Sequence, residues 1–369
     1  MKRREFLKWA GLGLAASSLP RFNLFSQSRA DKPILVTIFL RGGMDAINAV
    51  VPYGEKSYYA IRPTIAIPSE KDGDRPGVIR LDSTFGLHPS FSALKPFWDA
   101  GKFALVINSG SPHTTRSHFD AQDFFEYGAP GNKTMKTGWL NRYLQFTKGK
   151  NPSDPGASLR ALAMQNLLPR SLRGEFPALA VPDSRILGNQ KVLGTFESLY
   201  GSPADMMGDR KEDDPVVSAG RETLASLKIY QKALKVSSDR KTQYPASPVG
   251  QKLKDIASVI HSDLGLEVAS FDIGGWDHHI TEGGVEGTIS GMLKNVSDSL
   301  AAFADDLGPH FSRTLVLVMS EFGRTCKENG TTGTDHGHGS AMFLLGGSVK
   351  GGKIHGTWTG LEEKYLYEG

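Results

Sequence analysis

The chain has 369 residues, of which 39% are hydrophobic and 22% are charged, as is usual for a globular protein. Its formal net charge is +4, but the first 30 residues hold six basic residues and one acidic residue. The rest is therefore near neutral, and no nucleic-acid partner is expected. The single cysteine, Cys326, excludes an intrachain disulfide and cysteine-rich zinc sites, so any metal must be held by His, Asp or Glu.

Residues 1–30 predict an export signal. The stretch KRREFLK resembles the twin-arginine signal, with Lys2 in place of the usual serine, and a modestly apolar run follows it. That run is too short to span a bilayer comfortably, so no stable membrane span is expected. The sequence predicts passage through the twin-arginine translocase to the periplasm or another exported location.

The remaining residues, 31–369, predict a single α/β domain. Apolar, β-branched runs at 34–40, 103–109, 159–164, 266–271, 313–319 and 341–347 are typical of buried strands. Helical patterns lie at about 90–100, 117–128, 139–147, 217–236, 249–264 and 285–307. This alternation predicts a doubly wound, mostly parallel sheet with helices on both faces.

Two segments depart from that alternation. Residues 148–215 are rich in Pro, Gly and Ser, which predicts an irregular insertion or lid and not a separate domain. The chain ends at GLEEKYLYEG, soon after a glycine-rich loop and with no closing helix or strand. We therefore interpret the C-terminus as a possible truncation.

Four polar clusters follow predicted strands, and ligands in open α/β sheets gather at the carboxyl ends of strands. The clusters are LRGGMDAINAV with Asp45, HTTRSHFD with Thr114 and His118, FDIGGWDHH with Asp277, His278 and His279, and MSEFGRT with Glu321 and Arg324 followed by GTDHGHG with Asp335, His336 and His338. So many carboxylates and imidazoles at one edge would need cations between them. Two divalent ions are predicted, with zinc preferred and manganese, iron or magnesium as alternatives.

The stretches FLRGGMDAINAVVP, GGWDHH, SEFGRT and GTDHGHG resemble, in order, the bacterial family called domain of unknown function 1501. That family is grouped with the alkaline-phosphatase and sulfatase superfamily. The resemblance implies an alkaline-phosphatase-like fold, a two-metal hydrolytic site and a small anionic ester as substrate.

Superfamily roles carry over by position. Asp45 matches a metal ligand after the first strand, and Thr114, four residues before His118, matches the nucleophile, with Thr115 and Ser117 as rivals. Asp277 with His279 matches the ligands of the other metal, with His278 as an alternative. Arg324 is assigned either to clamping an anionic oxygen or to an ion pair.

The last strand differs from the superfamily pattern, because Glu321-Phe322-Gly323 stands where Asp-His-Gly is expected. Either Asp335 and His336 loop back to supply those ligands, or Glu321 replaces one of them while His336 or His338 acts elsewhere. The predicted function is an exported metal-dependent hydrolase of phosphate or sulfate esters with a metal-activated Thr nucleophile. The alternative is an inactive binding or assembly protein that keeps a structural metal.

Overall fold

The computed structural model describes residues 32–147, 159–182, 215–236 and 241–367, together with positions 194 and 197. The predicted signal sequence, residues 1–30, lies outside the described residues. The strands are β1 (Ile34–Leu40), β2 (Val50–Val51), β3 (Ile79–Arg80), β4 (Gly86–Leu87), β5 (Phe103–Ser109), β6 (Ala161–Ala163), β7 (Leu179–Ala180), β8 (Val268–Ile273), β9 (Thr314–Met319), β10 (Ser340–Gly346) and β11 (Lys353–His355).

The described α-helices are α1 (Ala46–Ala49), α2 (Lys56–Ile61), α3 (Lys95–Asp99), α4 (His118–Tyr127), α5 (Trp139–Phe146), α6 (Pro215–Val236), α7 (Pro248–His261) and α8 (Thr288–Leu307). Short 3-10 segments lie at Pro89–Leu94, Arg170–Leu172, Gly308–Arg313 and Glu363–Tyr365. None of these described helices is both long and apolar enough to cross a membrane.

Eight described strands form the main sheet in the order β11-β5-β10-β9-β1-β8-β6-β7. All neighbouring pairs are parallel except the two that involve β10. The strand β1 is central, and its apolar run is buried on both faces because strands of a parallel sheet are covered on both sides. The predicted α/β class with a mostly parallel sheet is confirmed.

The antiparallel direction of β10 was not predicted. Residues 320–339 leave β9 at its carboxyl end and form no helix. If β10 were parallel to β9, a crossover would have to return the chain to the amino ends of the strands before β10 begins. Without one, β10 starts at the edge where β9 ends and runs back between β9 and β5.

Alternate residues of β1 pack into two separate cores, which places helices on both faces of the sheet. Ile34, Val36 and Ile38 share a core with the apolar side chains of α7 and α8. Leu35 packs instead against the cluster that contains Leu140 and other residues of α5. Since successive side chains of a strand point to opposite faces, the sheet is doubly wound, as predicted.

Part of the predicted insertion belongs to the main sheet. The strands β6 and β7 lie within residues 148–215 and extend the sheet beyond β8. A segment at 170–172 packs on α4 and α5. Most of the other residues of 148–215 lie outside the described residues, so a lid there stays a prediction.

A small antiparallel sheet, β2-β4-β3, lies after the first polar cluster. It follows α1, whose N-cap is Asp45: one carboxylate oxygen accepts a hydrogen bond from the backbone N–H of Ile47 at 3.2 Å. A carboxylate is favoured at this position because the first backbone N–H groups of a helix have no partner within the helix. The carboxylate of Asp45 is therefore held in place by the helix that it caps.

Candidate metal centre

Predicted site side chains from three of the four loops meet at the carboxyl edge of the sheet. The structure brings together the side chains of His118 at the start of α4, Asp277 and His279 after β8, and Glu321, Arg324, Asp335 and His336 after β9. These loops converge because β5, β9, β1 and β8 run in the same direction, so their carboxyl ends lie on one side.

The centre of the cluster is formed by His118, Asp277 and His336. One possible ligand atom from each lies within 4.8 Å of the other two. The Nε2 atoms of His118 and His336 are 2.9 Å apart. His336 Nε2 lies 3.1 Å from Asp277 Oδ1, and His118 Nε2 lies 3.4 Å from Asp277 Oδ2. Two imidazole nitrogens and a carboxylate are a donor set that transition-metal ions accept.

His279 adjoins this triad. Its Nε2 atom lies 3.0 Å from His336 Nε2 and 2.9 Å from Asp277 Oδ1. His336 Nε2 therefore faces the Nε2 atoms of two other histidines and a carboxylate oxygen at once. The four side chains, His118, Asp277, His279 and His336, are called the metal cluster below.

Every histidine of the metal cluster has an acceptor at its other ring nitrogen. His118 Nδ1 lies 2.8 Å from a Glu321 carboxylate oxygen, and His279 Nδ1 lies 2.9 Å from Asp335 Oδ1. His336 Nδ1 lies 2.9 Å from the backbone carbonyl oxygen of Arg116. Carbonyl and carboxylate oxygens only accept hydrogen bonds, so each Nδ1 carries a proton and each neutral ring presents its Nε2 lone pair inwards. Metal-binding histidines are commonly held in this way.

Without an ion, one proton accounts for the contact between His118 and His336. The hydrogen bond to Glu321 raises the pKa of His118, whereas burial and the charge of His118 lower the pKa of His336. A second proton on the His118 ring would therefore be donated from Nε2 to His336 Nε2. The contact from His279 would need a second proton aimed at the same His336 lone pair, since a neutral ring has only one acceptor nitrogen. A cation held by His118, Asp277 and His336 would instead accept the lone pairs of His118 and His336 at once.

Asp277 is ionised in this setting. Burial raises its pKa, but the hydrogen bond and positive charge of Arg324 outweigh that effect and lower the pKa to about 2. The Arg324 Nη1 atom donates to Asp277 Oδ1 at 2.6 Å. An ionised carboxylate is the form that ligates a metal, so Arg324 keeps Asp277 ready to bind a cation.

Arg324 lies behind Asp277 and not at the solvent-facing surface of the site. Its side chain is fully buried. Its other guanidinium hydrogens are donated to the Thr334 hydroxyl at 3.1 Å and to the Gly42 carbonyl at 3.3 Å. Of the two predicted assignments, the structure places Arg324 in an ion pair with Asp277.

Glu321, in the unusual EFG stretch, holds His118. Its buried carboxylate also accepts hydrogen bonds from the Gly42 backbone N–H at 2.9 Å, Gln122 Nε2 at 2.8 Å and the Ser320 hydroxyl at 3.0 Å. Burial raises the pKa of Glu321, but the hydrogen bonds from His118 and Gln122 outweigh it and lower the pKa. Glu321 therefore orients a cluster histidine from outside the cluster.

The loop GTDHGHG folds back toward the EFG stretch. The backbone N–H of Thr325 donates to the Asp335 carbonyl, and the N–H of Gly337 donates to the Gly323 carbonyl, each at 2.9 Å. A Cβ atom added at Gly337 would lie 2.3 Å from the Arg324 carbonyl oxygen. The glycine is thus required by close backbone approach, and this approach sets His336 beside Asp277.

The other predicted site residues lie elsewhere. Asp45 forms a buried ion pair with Arg62, whose Nη2 atom donates to Asp45 Oδ1 at 3.0 Å. Thr114 is exposed in the loop before α4. His338 packs on the ring of Tyr367, with centroids 4.8 Å apart. None of these three residues belongs to the metal cluster in the described part of the chain.

Sequence reasoning missed three supporting groups. Gln122 lies four residues after His118 on α4, so the spacing of a helical face could have indicated that both would contact Glu321. Arg62 pairs with Asp45, and the Arg116 carbonyl holds His336. No local pattern identifies these two contacts, because the first depends on how the chain from α1 to the end of α2 brings Arg62 beside Asp45 and the second uses a backbone atom.

Comparison with known proteins gives a family match and a distant similarity to solved structures. The family described as "Protein of unknown function (DUF1501)" matches residues 32–367. No curated protein matches the chain. Among solved structures, the chain is similar to the alkaline phosphatase from the Antarctic bacterium TAB5, with 12% identity and a TM-score of 0.33, over 88% of this chain and 95% of that one. That similarity is too low to transfer an activity.

Proposed function

Because the chain belongs to the DUF1501 family, whose function is unknown, we propose from the site itself that this protein is a metal-dependent hydrolase of small anionic esters. The observation that carries the proposal is the convergence of three Nε2 atoms and the Asp277 carboxylate in the metal cluster. Each Nδ1 is held by an outward acceptor, as in histidines that ligate a metal.

Zinc is the preferred ion for this site, since imidazole and carboxylate are its ordinary ligands, with manganese, iron and magnesium as alternatives. The residues that would hold it are His118, Asp277 and His336, with His279 beside them. A bound divalent ion would act as a Lewis acid toward an ester oxygen or a hydroxyl group. The described residues supply one set of candidate metal ligands. We therefore propose one ion at this position, fewer than the two predicted from the sequence.

Exposure of the ligands favours catalysis over a purely structural metal. The side chains of Asp277 and His279 are 43% and 40% exposed. Structural zinc sites are closed by protein ligands, whereas catalytic sites keep a position open to water or substrate. A phosphate or sulfate ester could therefore reach an ion held here.

Thr114 remains the proposed nucleophile. It is exposed and lies four residues before His118, in the loop that leads into α4. Its hydroxyl oxygen would form the bond to phosphorus or sulfur as the bond to the alcohol breaks, and the hydroxyl proton would leave with the alcohol. Water would then release the anion and restore Thr114.

The test is metal analysis of the purified chain together with a panel of phosphate and sulfate esters. We expect about one equivalent of zinc per chain, turnover that is lost on chelation and restored by zinc, and loss of turnover in Thr114→Ala. Thr115→Ala and Ser117→Ala are the matched controls and should retain turnover. Turnover that does not respond to chelation would contradict the proposal.

The second candidate, a binding or assembly protein with a structural metal, is favoured by one observation. The carboxylate of Asp45, predicted to ligate a second ion, instead forms an ion pair with Arg62. If the purified chain holds zinc but hydrolyses no ester in the panel, this second candidate is the better account.

We further propose that the protein is exported by the twin-arginine route. The support is the sequence of residues 1–30, above all Arg3 and Arg4. Replacing both arginines with lysine is expected to leave the protein in the cytoplasmic fraction, whereas the unchanged protein appears in the periplasmic fraction. Equal export of both forms, measured by cell fractionation, would refute this route.

A further inference from the structure

A cavity of about 340 Å³ lies next to the metal cluster. Its walls come from α1, the end of β5, the start of β10 and residues 358–367. Three lining residues connect it to the cluster: Arg116, whose carbonyl holds His336, Gly337, which follows His336 in the chain, and Arg324, which pairs with Asp277. The residue that directly follows His336, a proposed metal ligand, therefore lines the cavity.

One side of the cavity is aromatic and fixed. Phe85 and Trp358 pack edge to face, with ring centroids 5.2 Å apart. The Trp358 indole N–H is donated to Glu55, whose other carboxylate oxygen accepts the backbone N–H of Leu361 at 3.0 Å. The ring of Trp358 is thereby held against the cavity. Tyr367 and Ile107 complete this apolar surface.

The cavity lining also includes a buried polar group that has no hydrogen-bond partner among the described residues. Ser340, the first residue of β10, is 4% exposed, and its hydroxyl has no hydrogen bond among the described residues. A buried hydroxyl left unpaired costs about 1–3 kcal/mol, so unpaired groups of this kind are uncommon in folded proteins. A ligand in the cavity that carries a hydrogen-bond acceptor would satisfy it.

We propose that this cavity binds an aromatic ring that carries a hydrogen-bond acceptor, as the alcohol part of the ester whose anionic group is placed at the metal cluster. The inference rests on the proposed hydrolase function for the role of the ring, but not for its binding. A cavity of roughly 150 Å³ holds benzene, so 340 Å³ accommodates a substituted ring. Aromatic walls favour such a ring through edge-to-face contact.

Binding is tested with 4-nitrophenol and the full metal-free chain, by isothermal titration calorimetry. The wild-type chain and the His336→Ala variant should both bind one equivalent, because the cavity does not need the ion. Ile47→Trp, which fills the cavity from its half-buried wall, should weaken binding at least about 10-fold. Phe146→Trp, which adds the same side chain at an exposed position outside the cavity, should bind as the wild type does.

Ser340→Ala gives a second, milder test that does not depend on how Ile47→Trp folds. Its hydroxyl makes no hydrogen bond to the described protein, so thermal stability should be kept while 4-nitrophenol binding weakens about 3- to 10-fold. No saturable binding by the wild type, or binding unchanged in both Ile47→Trp and Ser340→Ala, would overturn the inference.

Measurements of ester hydrolysis then distinguish the proposal for the cavity from the proposal that the protein is a hydrolase. If the protein hydrolyses esters, Ile47→Trp should lower kcat/KM for 4-nitrophenyl phosphate at least about 10-fold more than for ethyl phosphate, which does not use the cavity. If no ester is hydrolysed but 4-nitrophenol binds and both cavity variants weaken it, the hydrolase proposal fails while the cavity remains a binding site for an aromatic ligand. An equal loss with both esters would overturn the role of the ring.

Discussion

Replacing His336 with alanine is expected to lower the affinity of the protein for zinc by more than about 100-fold and to reduce ester turnover to background. The reason is geometric: His336 Nε2 is the one atom that contacts His118, His279 and Asp277 together. Losing a group that only orients a metal ligand typically costs about 10–100-fold in metal affinity, and losing a central ligand should cost more.

The matched control is His338→Ala, two residues further along the same loop. His338 faces the cavity and packs on Tyr367, so this variant should bind zinc with wild-type affinity. Zinc affinity is measured by competition with a chromophoric chelator, and folding is checked by circular dichroism. Equal zinc affinity of His336→Ala and wild type would show that the ion, if bound, is held elsewhere.

Replacing Asp45 with alanine is expected to lower the free energy of unfolding by about 3–5 kcal/mol, the usual cost of breaking a buried ion pair. The Asp45 and Arg62 side chains are 1% and 0% exposed. Removing the carboxylate leaves the guanidinium with the backbone carbonyls of Thr325 and Cys326 as its hydrogen-bond acceptors among the described residues. Loss of the α1 N-cap adds about 1 kcal/mol.

The measurement is urea unfolding of the metal-free chain, followed by fluorescence. Metal-free conditions matter because they separate the stability effect from any loss of a bound ion. A decrease below about 1 kcal/mol would contradict the ion-pair assignment. If Asp45→Ala remained folded and lost zinc affinity to the same extent as His336→Ala, the original prediction of Asp45 as a ligand would gain support.

Glu282→Gln is the control for this buried region. Burial and the nearby Asp45 carboxylate raise the pKa of Glu282 to about 9, so its carboxyl group is neutral at pH 6. The neutral glutamine should keep the Asp45–Arg62 pair and the hydrogen bond from Thr334, which donates to Glu282 at 2.8 Å. At a pH below 4.5, where Glu282 is neutral in the unfolded chain as well, the variant should therefore be almost as stable as the wild type.

The free energies of unfolding of the wild type and Glu282→Gln should diverge as the pH rises. The folded pKa of Glu282 lies above its ordinary value of 4.5, so the folded wild type binds more protons than the unfolded chain between those values. Its stability then falls as pH increases through that range. Because glutamine does not titrate, Glu282→Gln should become the more stable protein toward pH 9, and a constant difference across pH would contradict the buried neutral carboxyl.

Many features of the fold followed from the sequence because they depend on local pattern. The apolar runs 34–40 and 103–109 correspond to β1 and β5, since a strand buried on both faces must be apolar throughout. The motif residues after β5, β8 and β9 were expected at one edge because parallel strands end there. Composition alone limited any metal ligand to His, Asp and Glu.

The identity of the cluster residues was decided only by the tertiary structure. In GTDHGHG each of the two histidines is followed by a glycine, yet His336 contacts Asp277 whereas His338 lines the cavity. The difference arises because residues 323–325 pair with residues 335–337, which fixes the path of the loop. Sequence pattern sets which residues are buried or turn-forming, but contacts between loops more than ten residues apart depend on the whole chain path.

Asp45 is a second case in which the sequence did not identify the partner of a site residue. Its place after the first strand made it a ligand candidate, but in the structure it pairs with Arg62, the C-cap residue of α2, and is the N-cap of α1. A carboxylate this deeply buried needs a positive partner, and sequence could not tell whether that partner would be an ion or an arginine. The sequence therefore determined that charges gather at this edge of the sheet, and only the three-dimensional packing determined which of them pair with an arginine and which form the metal cluster.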